Sequence, residues 1–214
     1  MTQIIAIDGP ASVGKSTLAK KISKKFKAPV LYSGKLYRAL ALEVIKRKIN
    51  FNKTEEILKC TNYIDLDNLS SAELYSSEVD KVSSIISAKK QVRNKLIAFQ
   101  RGFPKKYGKN IKFAIIEGRD IGTIIFPKAS YKIFLWAASE VRAKRRYEQL
   151  RNNGKNVSYS KIFSEINVRD RKDMTRKIAP LMPAANSVLL DTTYIDIEQA
   201  FNALKEIILR TKTI

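Results

Sequence analysis

Ile4-Ile5-Ala6-Ile7-Asp8-Gly9-Pro10-Ala11-Ser12-Val13-Gly14-Lys15-Ser16 decides how this chain is read. An apolar run short enough for a buried strand leads into Gly9-Pro10-Ala11-Ser12-Val13-Gly14-Lys15-Ser16, which fits G-x-x-x-x-G-K-[ST], the phosphate-binding loop. Two glycines let the backbone wrap tightly, so that its N–H groups point inward at an anion. Lys15 supplies a mobile positive charge for the outer phosphates, and the Ser16 hydroxyl suits Mg²⁺. A helix is predicted from Lys15 to Phe26, Thr17 included, and its positive dipole end faces the same anion. The stretch from Gly9 to Thr17 is therefore the expected site for a nucleoside triphosphate.

Working outward, 214 residues at 44% hydrophobic composition are ample for one α/β domain. No apolar run approaches the roughly 20 residues that span a bilayer. The first residues already read as a core strand, so no signal peptide is expected. A single cysteine, Cys60, excludes an internal disulfide and fits a reducing cytoplasm. It lies in the helical-looking run from Thr54 to Tyr63 and reads as a packing residue.

The chain has no histidine. That removes His-based triads, His general bases and ordinary zinc sites. Phosphoryl transfer tolerates this loss, because a phosphate acceptor with a second pKa of about 6 is already a dianion at neutral pH. Lys and Arg number 41 against 20 Asp and Glu, a formal charge of +21. Such a balance suits polyanionic partners. Most lysines, such as Lys20, Lys21, Lys24, Lys25 and Lys27, are spaced as a solvated helix face, and no aromatic–basic stripe stands ready to stack exposed bases.

Ile4–Ile7, Pro29–Leu31, Phe113–Ile116, Ile133–Leu135 and Val188–Leu190 read as short buried strands. Helices are predicted at Leu36–Lys48, Ser87–Arg101, Ser139–Arg151, Ser160–Lys172 and Asp196–Thr211. This alternation means a parallel sheet covered on both faces, with ligands beyond the carboxyl ends of its strands. The phosphate loop, Ser33–Arg38 and Glu117–Gly122 each follow a predicted strand and are expected to share one crevice. The polar segment from Asn50 to Ser77, with Asp65-Leu66-Asp67-Asn68 and Ser70-Ser71, reads as an insertion away from the sheet. Asn152-Asn153-Gly154-Lys155-Asn156 is a strong turn between helices and a candidate mobile lid; Arg145-Arg146 just before it are placed to reach a triphosphate.

Three further motifs carry arginines, whose planar fork binds phosphate bidentately and stays charged. Ser33-Gly34-Lys35-Leu36-Tyr37-Arg38 enters a helix; Gly118-Arg119-Asp120-Ile121-Gly122-Thr123 ends a strand. Arg169-Asp170-Arg171-Lys172-Asp173-Met174-Thr175-Arg176, if helical throughout, places Arg169, Asp173 and Arg176 on one face at i, i+4 and i+7. A solvated arginine, a salt-bridged turn and a surface ion-pair ladder are the structural alternatives for the three.

Together these motifs, with Phe126-Pro127, Ala179-Pro180-Leu181 and Pro183-Ala184, resemble the bacterial cytidylate kinases, collinearly over nearly all the chain outside about Asn50 to Leu74. The resemblance implies a P-loop nucleoside monophosphate kinase fold: a five-stranded parallel sheet flanked by helices in a single domain over residues 1–214, with a small acceptor-binding insertion at about 34–93 and a short lid at about 145–161. It implies transfer of the γ-phosphoryl group of ATP to CMP or dCMP, with Mg²⁺. Lys15, Arg119 and Arg176 would be catalytic, and Arg38, Arg119 and Arg176 would hold the acceptor phosphate. Ser84, Arg93 and Asp120 would read the cytosine edge with Ser33 close by, while Arg169 and Asp173 would meet the sugar. A carboxylate and an arginine complement the N4 amino donor and the carbonyl of cytosine, whereas uracil would turn a carbonyl toward Asp120.

The chain departs from the family at Tyr32, where an aspartate is usual, at Lys35, usually small, at Glu117, often aspartate, and at Trp136; its insertion is also shorter than the usual three-stranded one. A UMP or dTMP kinase is the alternative within the enzyme class, and a P-loop nucleic-acid-binding protein the alternative outside it. The expected partners are small-molecule nucleotides, for a cytoplasmic monomer of pyrimidine nucleotide metabolism that engages neither membrane nor nucleic acid.

Overall fold

In the computed structural model, described for residues 2–64, 72–107 and 110–210, the chain divides into two compact units, Met1–Val30 with Tyr107–Ile214, and Leu31–Lys106. Five strands, β1 (Gln3–Asp8), β2 (Val30–Tyr32), β3 (Phe113–Gly118), β4 (Tyr131–Trp136) and β5 (Val188–Asp191), form one parallel sheet in the order β2-β3-β1-β4-β5. All five lie where the apolar runs place them. β1 is central: Ile5 and Ile7 pair with Ile115 and Glu117 of β3 on one side and with Tyr131 and Ile133 of β4 on the other. Asp8 is level with Gly118, so the phosphate loop and the Gly118-Arg119-Asp120 turn leave the sheet side by side.

β3 is buried along its whole length, as a continuous apolar run between two neighbours should be. β5 departs from the expected buried strand. It pairs with β4 alone at the sheet edge, and Leu189 is 64% exposed.

Helix α1 (Lys15–Phe26) buries Lys15, Leu18, Ala19 and Ile22, the i, i+3, i+4, i+7 set that makes one face. Glycine at position 14, with φ 98°, turns the loop into its first residue. Four further helices belong to the unit that Leu31–Lys106 forms: α2 (Ser33–Lys46), α3 (Thr54–Lys59), α4 (Ser77–Ile86) and α5 (Lys90–Lys106). α5 answers to the predicted helix at Ser87–Arg101, whereas α4, ending just before Ser87, is a helix the apolar pattern did not predict. Val79, Val82 and Ile86 give α4 its buried face, and the Ser76 hydroxyl accepts the Val79 N–H at 3.2 Å to cap its start. Tyr37, Leu40, Val44, Ile57, Cys60, Val82, Ile86 and Leu96 pack into the core of this unit. Cys60 is buried there as expected of a packing residue, and burial raises its thiol pKa. The segment from Asn50 to Ser77 holds α3 and two short 3₁₀ turns among its described residues. Asp65-Leu66-Asp67-Asn68 and Ser70-Ser71 lie outside the described residues.

The remaining helices, α6 (Ser139–Asn152), α7 (Tyr159–Thr175) and α8 (Ile197–Arg210), complete the sheet-bearing unit. Helix α8 begins within a residue of the expected start, and the expected last residue, Thr211, lies outside the described residues. α6 and α7 form a hairpin held by Ala143, Ile162 and Ile166 with Leu150 and Phe163 packed against them. The turn read from Asn152 to Asn156 joins them, and Gly154 takes φ 73°. Among the described residues no helix is long and apolar enough to cross a membrane.

Candidate active site

The loop after β1 is shaped by three residues that depart from ordinary backbone, Gly9, Ser12 and Gly14. Gly9 has φ 149°, and a Cβ there would fall on the Leu135 carbonyl oxygen, so no other residue fits. Ser12 sits at φ 58°, in the left-handed region that a non-glycine residue occupies only when its surroundings hold it there. The Lys15 ammonium folds back across the loop, donating to the carbonyls of Gly9 at 2.9 Å and Pro10 at 2.7 Å. Burial, followed by the Arg119 charge, depresses its pKa to about 7, against the opposing pull of Glu117 and Asp8. An amine so desolvated gains most when a polyanion arrives to pair with it.

Asp8 closes β1 and ties the loop to the neighbouring turn. Its carboxylate accepts the N–H groups of Ile121 at 2.9 Å and Gly122 at 2.7 Å. Burial pushes its pKa up to about 6, although both backbone hydrogen bonds oppose the shift. Those amides open a single wide (π) turn, Ile121–Ile125, directly after Arg119 and Asp120. Arg119 therefore leaves the end of β3 beside the loop, and its Nη1 donates to the Gly9 carbonyl at 2.5 Å.

Around Asp173 the guanidinium groups gather. Arg119 Nε donates to Asp173 Oδ2 at 2.9 Å, and Arg176 Nη1 stands 3.6 Å from Asp173 Oδ1. Burial disfavours the Asp173 charge, but Arg119, Arg169 and Arg176 outweigh it and hold the pKa below the usual carboxylate value. Arg176 also reaches toward Asp120, with Nη2 3.9 Å from Oδ1, and its Nε donates to the Ala179 carbonyl at 2.6 Å. Ser16 Oγ donates to Glu117 Oε2 at 3.1 Å. A hydroxyl and a carboxylate so close to a phosphate loop form a hard-oxygen pair of the kind Mg²⁺ prefers.

In the Leu31–Lys106 unit, the candidate residues are held one by one. Ser33 Oγ donates to Gln100 Oε1 at 2.5 Å, and Gln100 Nε2 donates to the Leu96 carbonyl at 3.0 Å. Arg38 is braced by the Leu74 carbonyl at 2.7 Å, by the Asp80 carboxylate and by the Tyr75 ring. Arg93 is buried, donates to the Ser87 carbonyl at 3.1 Å and stands over the Tyr37 ring, while Ser84 lies on the exposed side of α4.

A family model described as cytidylate kinase matches residues 5–210. The chain belongs to the cytidylate kinase family. It is 40% identical over 200 residues to a cytidylate kinase of Methylocella silvestris, covering 94% of this chain and 91% of the relative. It is 38% identical over 220 residues to one of Fusobacterium nucleatum, covering 98% of each. Among solved structures it resembles an uncharacterized protein from Eubacterium ventriosum, with TM-score 0.58, 13% identity and coverage of 98% of this chain and 99% of that one. That last likeness concerns the fold alone.

The residues that the sequence points to are grouped within each unit. Lys15, Arg119, Asp120, Arg169, Asp173 and Arg176 are linked by hydrogen bonds, ion pairs or direct electrostatic influence in the sheet-bearing unit. Ser33, Arg38, Ser84 and Arg93 belong to the helical unit. One local expectation changes. The helical face proposed for Arg169, Asp173 and Arg176 ends at Thr175, and Arg176 is extended with ψ 139°, which lets it turn back on both Asp120 and Asp173. Arg145, read as a triphosphate contact, donates to the Thr192 and Ile195 carbonyls, and Arg146 donates to Gln149. Three contributors had no role in the sequence reading: Asp8, Gln100 and the pair formed by Arg142 and Asp170. Each acts through backbone or through a partner far along the chain, so local spacing carries no sign of it.

Proposed function

We propose that this protein transfers the γ-phosphoryl group of ATP to CMP, and to dCMP, giving ADP and the pyrimidine nucleoside diphosphate. The observation that carries the reading is the meeting of Arg119, Arg169 and Arg176 about Asp173 while Arg119 also reaches the Gly9 carbonyl of the phosphate loop. Such a concentration of cations against a glycine loop suits a reaction whose charge lies on transferring phosphoryl oxygens.

The loop amides and Lys15 bind the donor triphosphate. Arg119 and Arg176 hold the acceptor phosphate and stabilise the charge that grows between donor and acceptor, and Arg38 is assigned to the same phosphate. That phosphate is already a dianion at neutral pH and attacks without a general base. Asp120, Arg93 and Ser84 read the cytosine edge with Ser33 beside them, and Arg169 and Asp173 take the sugar. Ser16 and Glu117 would hold Mg²⁺, which when bound offsets the negative charge of the outer phosphates.

In domain terms, residues of about 34–93 serve as the acceptor-binding insertion and about 145–161 as the lid of one P-loop kinase domain. The protein acts as a cytoplasmic monomer of pyrimidine nucleotide metabolism. A coupled assay of purified protein with Mg-ATP and a panel of nucleoside monophosphates tests the reading. CMP and dCMP should turn over well above UMP and dTMP. Faster turnover of UMP or dTMP overturns the acceptor assignment, and nanomolar, salt-resistant RNA or DNA binding without kinase activity overturns the enzyme reading altogether.

A further inference from the structure

Ala11 lies between Gly9 and Ser12, two of the unusual backbone positions of the phosphate loop, and both of its backbone polar groups are taken by one buried ion pair. The Ala11 N–H donates to Asp170 Oδ1 at 3.2 Å, and the Ala11 carbonyl accepts from Arg142 Nη1 at 2.9 Å. The same Arg142 nitrogen bonds Asp170 Oδ2 at 2.5 Å, and Arg142 Nε donates to the Ala137 carbonyl at 2.8 Å. Arg142 is 2% exposed and Asp170 6%. Both peptide planes that flank Ala11 are thereby pinned, immediately before Ser12 takes its left-handed conformation.

We infer that Arg142 and Asp170 are positioning residues that hold the phosphate loop in its anion-binding shape and anchor the root of the α6–α7 hairpin to it. A buried pair is a poor source of net stability, since desolvation offsets most of its attraction. Its geometry matters more: a carboxylate and a guanidinium in rigid contact present one acceptor and one donor to a single residue. Arg142 stands near the start of α6 and Asp170 near the end of α7, so the pair lies at the root of the hairpin. The Gly154 turn is at the other end, about 15 Å along the helix axis. The pair thus fixes the root of the hairpin, not its tip, to the loop that binds the donor.

This rests on the donor role proposed for the loop, not on the identity of the acceptor. The test measures ADP and CMP affinity by calorimetry for Asp170→Asn and for the double variant Arg142→Met/Asp170→Leu. The double variant removes both charges together and so avoids the loss of stability that Asp170→Asn incurs by leaving the Arg142 charge buried without its partner. ADP affinity is expected to fall roughly tenfold or more, the effect of losing a charge-assisted hydrogen bond. CMP affinity should change less than about twofold. Unchanged ADP affinity in the folded variants overturns the inference, and so does an equal loss for both ligands, which marks a merely structural role. Wild-type protein that binds ADP but does not phosphorylate CMP would instead defeat the acceptor reading and leave this one standing.

Discussion

The two units place their functional groups by different means. In the sheet-bearing unit, Lys15, Arg119, Asp173 and Arg176 share partners, so that the Gly9 carbonyl takes both Lys15 and Arg119 and Asp173 takes both Arg119 and Arg176. In the helical unit, Ser33, Arg38 and Arg93 each have their own brace, from Gln100, from Leu74 with Asp80, and from Ser87 with Tyr37. Strand ends that leave a sheet side by side create a shared network. Helices that pack through apolar faces hold polar groups separately. Substitutions should therefore couple in the first unit and act independently in the second.

The largest expected effect is that of Lys15→Ala, which should lower kcat by about 100- to 1,000-fold, the scale of losing one transition-state charge contact. Its melting temperature should hold or rise, because the lost amine is one that burial disfavours. A comparable drop in melting temperature with near-normal turnover would contradict the role. Next, Arg119→Ala and Arg176→Ala should each reduce kcat by roughly a hundredfold, and the double variant by clearly less than the product. Arg38→Ala and Ser33→Ala, by contrast, should raise KM for CMP by factors that multiply in the double variant. Full multiplicativity for the first pair, or strong coupling in the second, breaks the contrast between the units.

A smaller effect is expected of Asp120→Ala, which should narrow the ratio of CMP to UMP turnover by about 10- to 100-fold. An unchanged ratio removes Asp120 from base reading. The smallest is a proton count. With Lys15 near 7 in the free protein and an ordinary lysine at 10.5, the amine is mostly neutral at pH 8. Pairing with a polyanion restores its charge, so ATP binding at pH 8 should take up as much as about one proton, absent in Lys15→Met. Calorimetry in buffers of different ionisation enthalpy reads this directly. The same depression makes the unfolded chain bind more protons between pH 7 and 10.5, so the Lys15 contribution to stability rises with pH across that window.

How much of this was legible in the sequence follows from range. The five strands and the phosphate loop are written in contiguous residues, where apolar runs and glycine spacing are strong signals. Helix α4 escaped the sequence pattern because Ser76, Ser83, Ser84 and Ser87 blur it, and Val79, Val82 and Ile86 alone carry its buried face. The exposure of β5 depends on its place at the sheet edge, a property of topology that its Val188-Leu189-Leu190 run cannot express. Arg142 and Asp170 lie 28 residues apart and meet at a backbone residue far from both. Nothing in either neighbourhood separates Arg142 from Arg145 or Arg146.

The wide turn after Asp120 places its constraint on the number of residues as well as on their kind. Take one residue out of Ile121–Ile125 and the segment could close as an ordinary helical turn. Everything beyond would swing by about 100° about the turn axis, and the two amides that grip Asp8 would no longer arrive as a pair. Conservative side-chain exchanges within the turn should be tolerated far better than any single-residue deletion, which makes this one of the few places in the fold where counting matters more than chemistry.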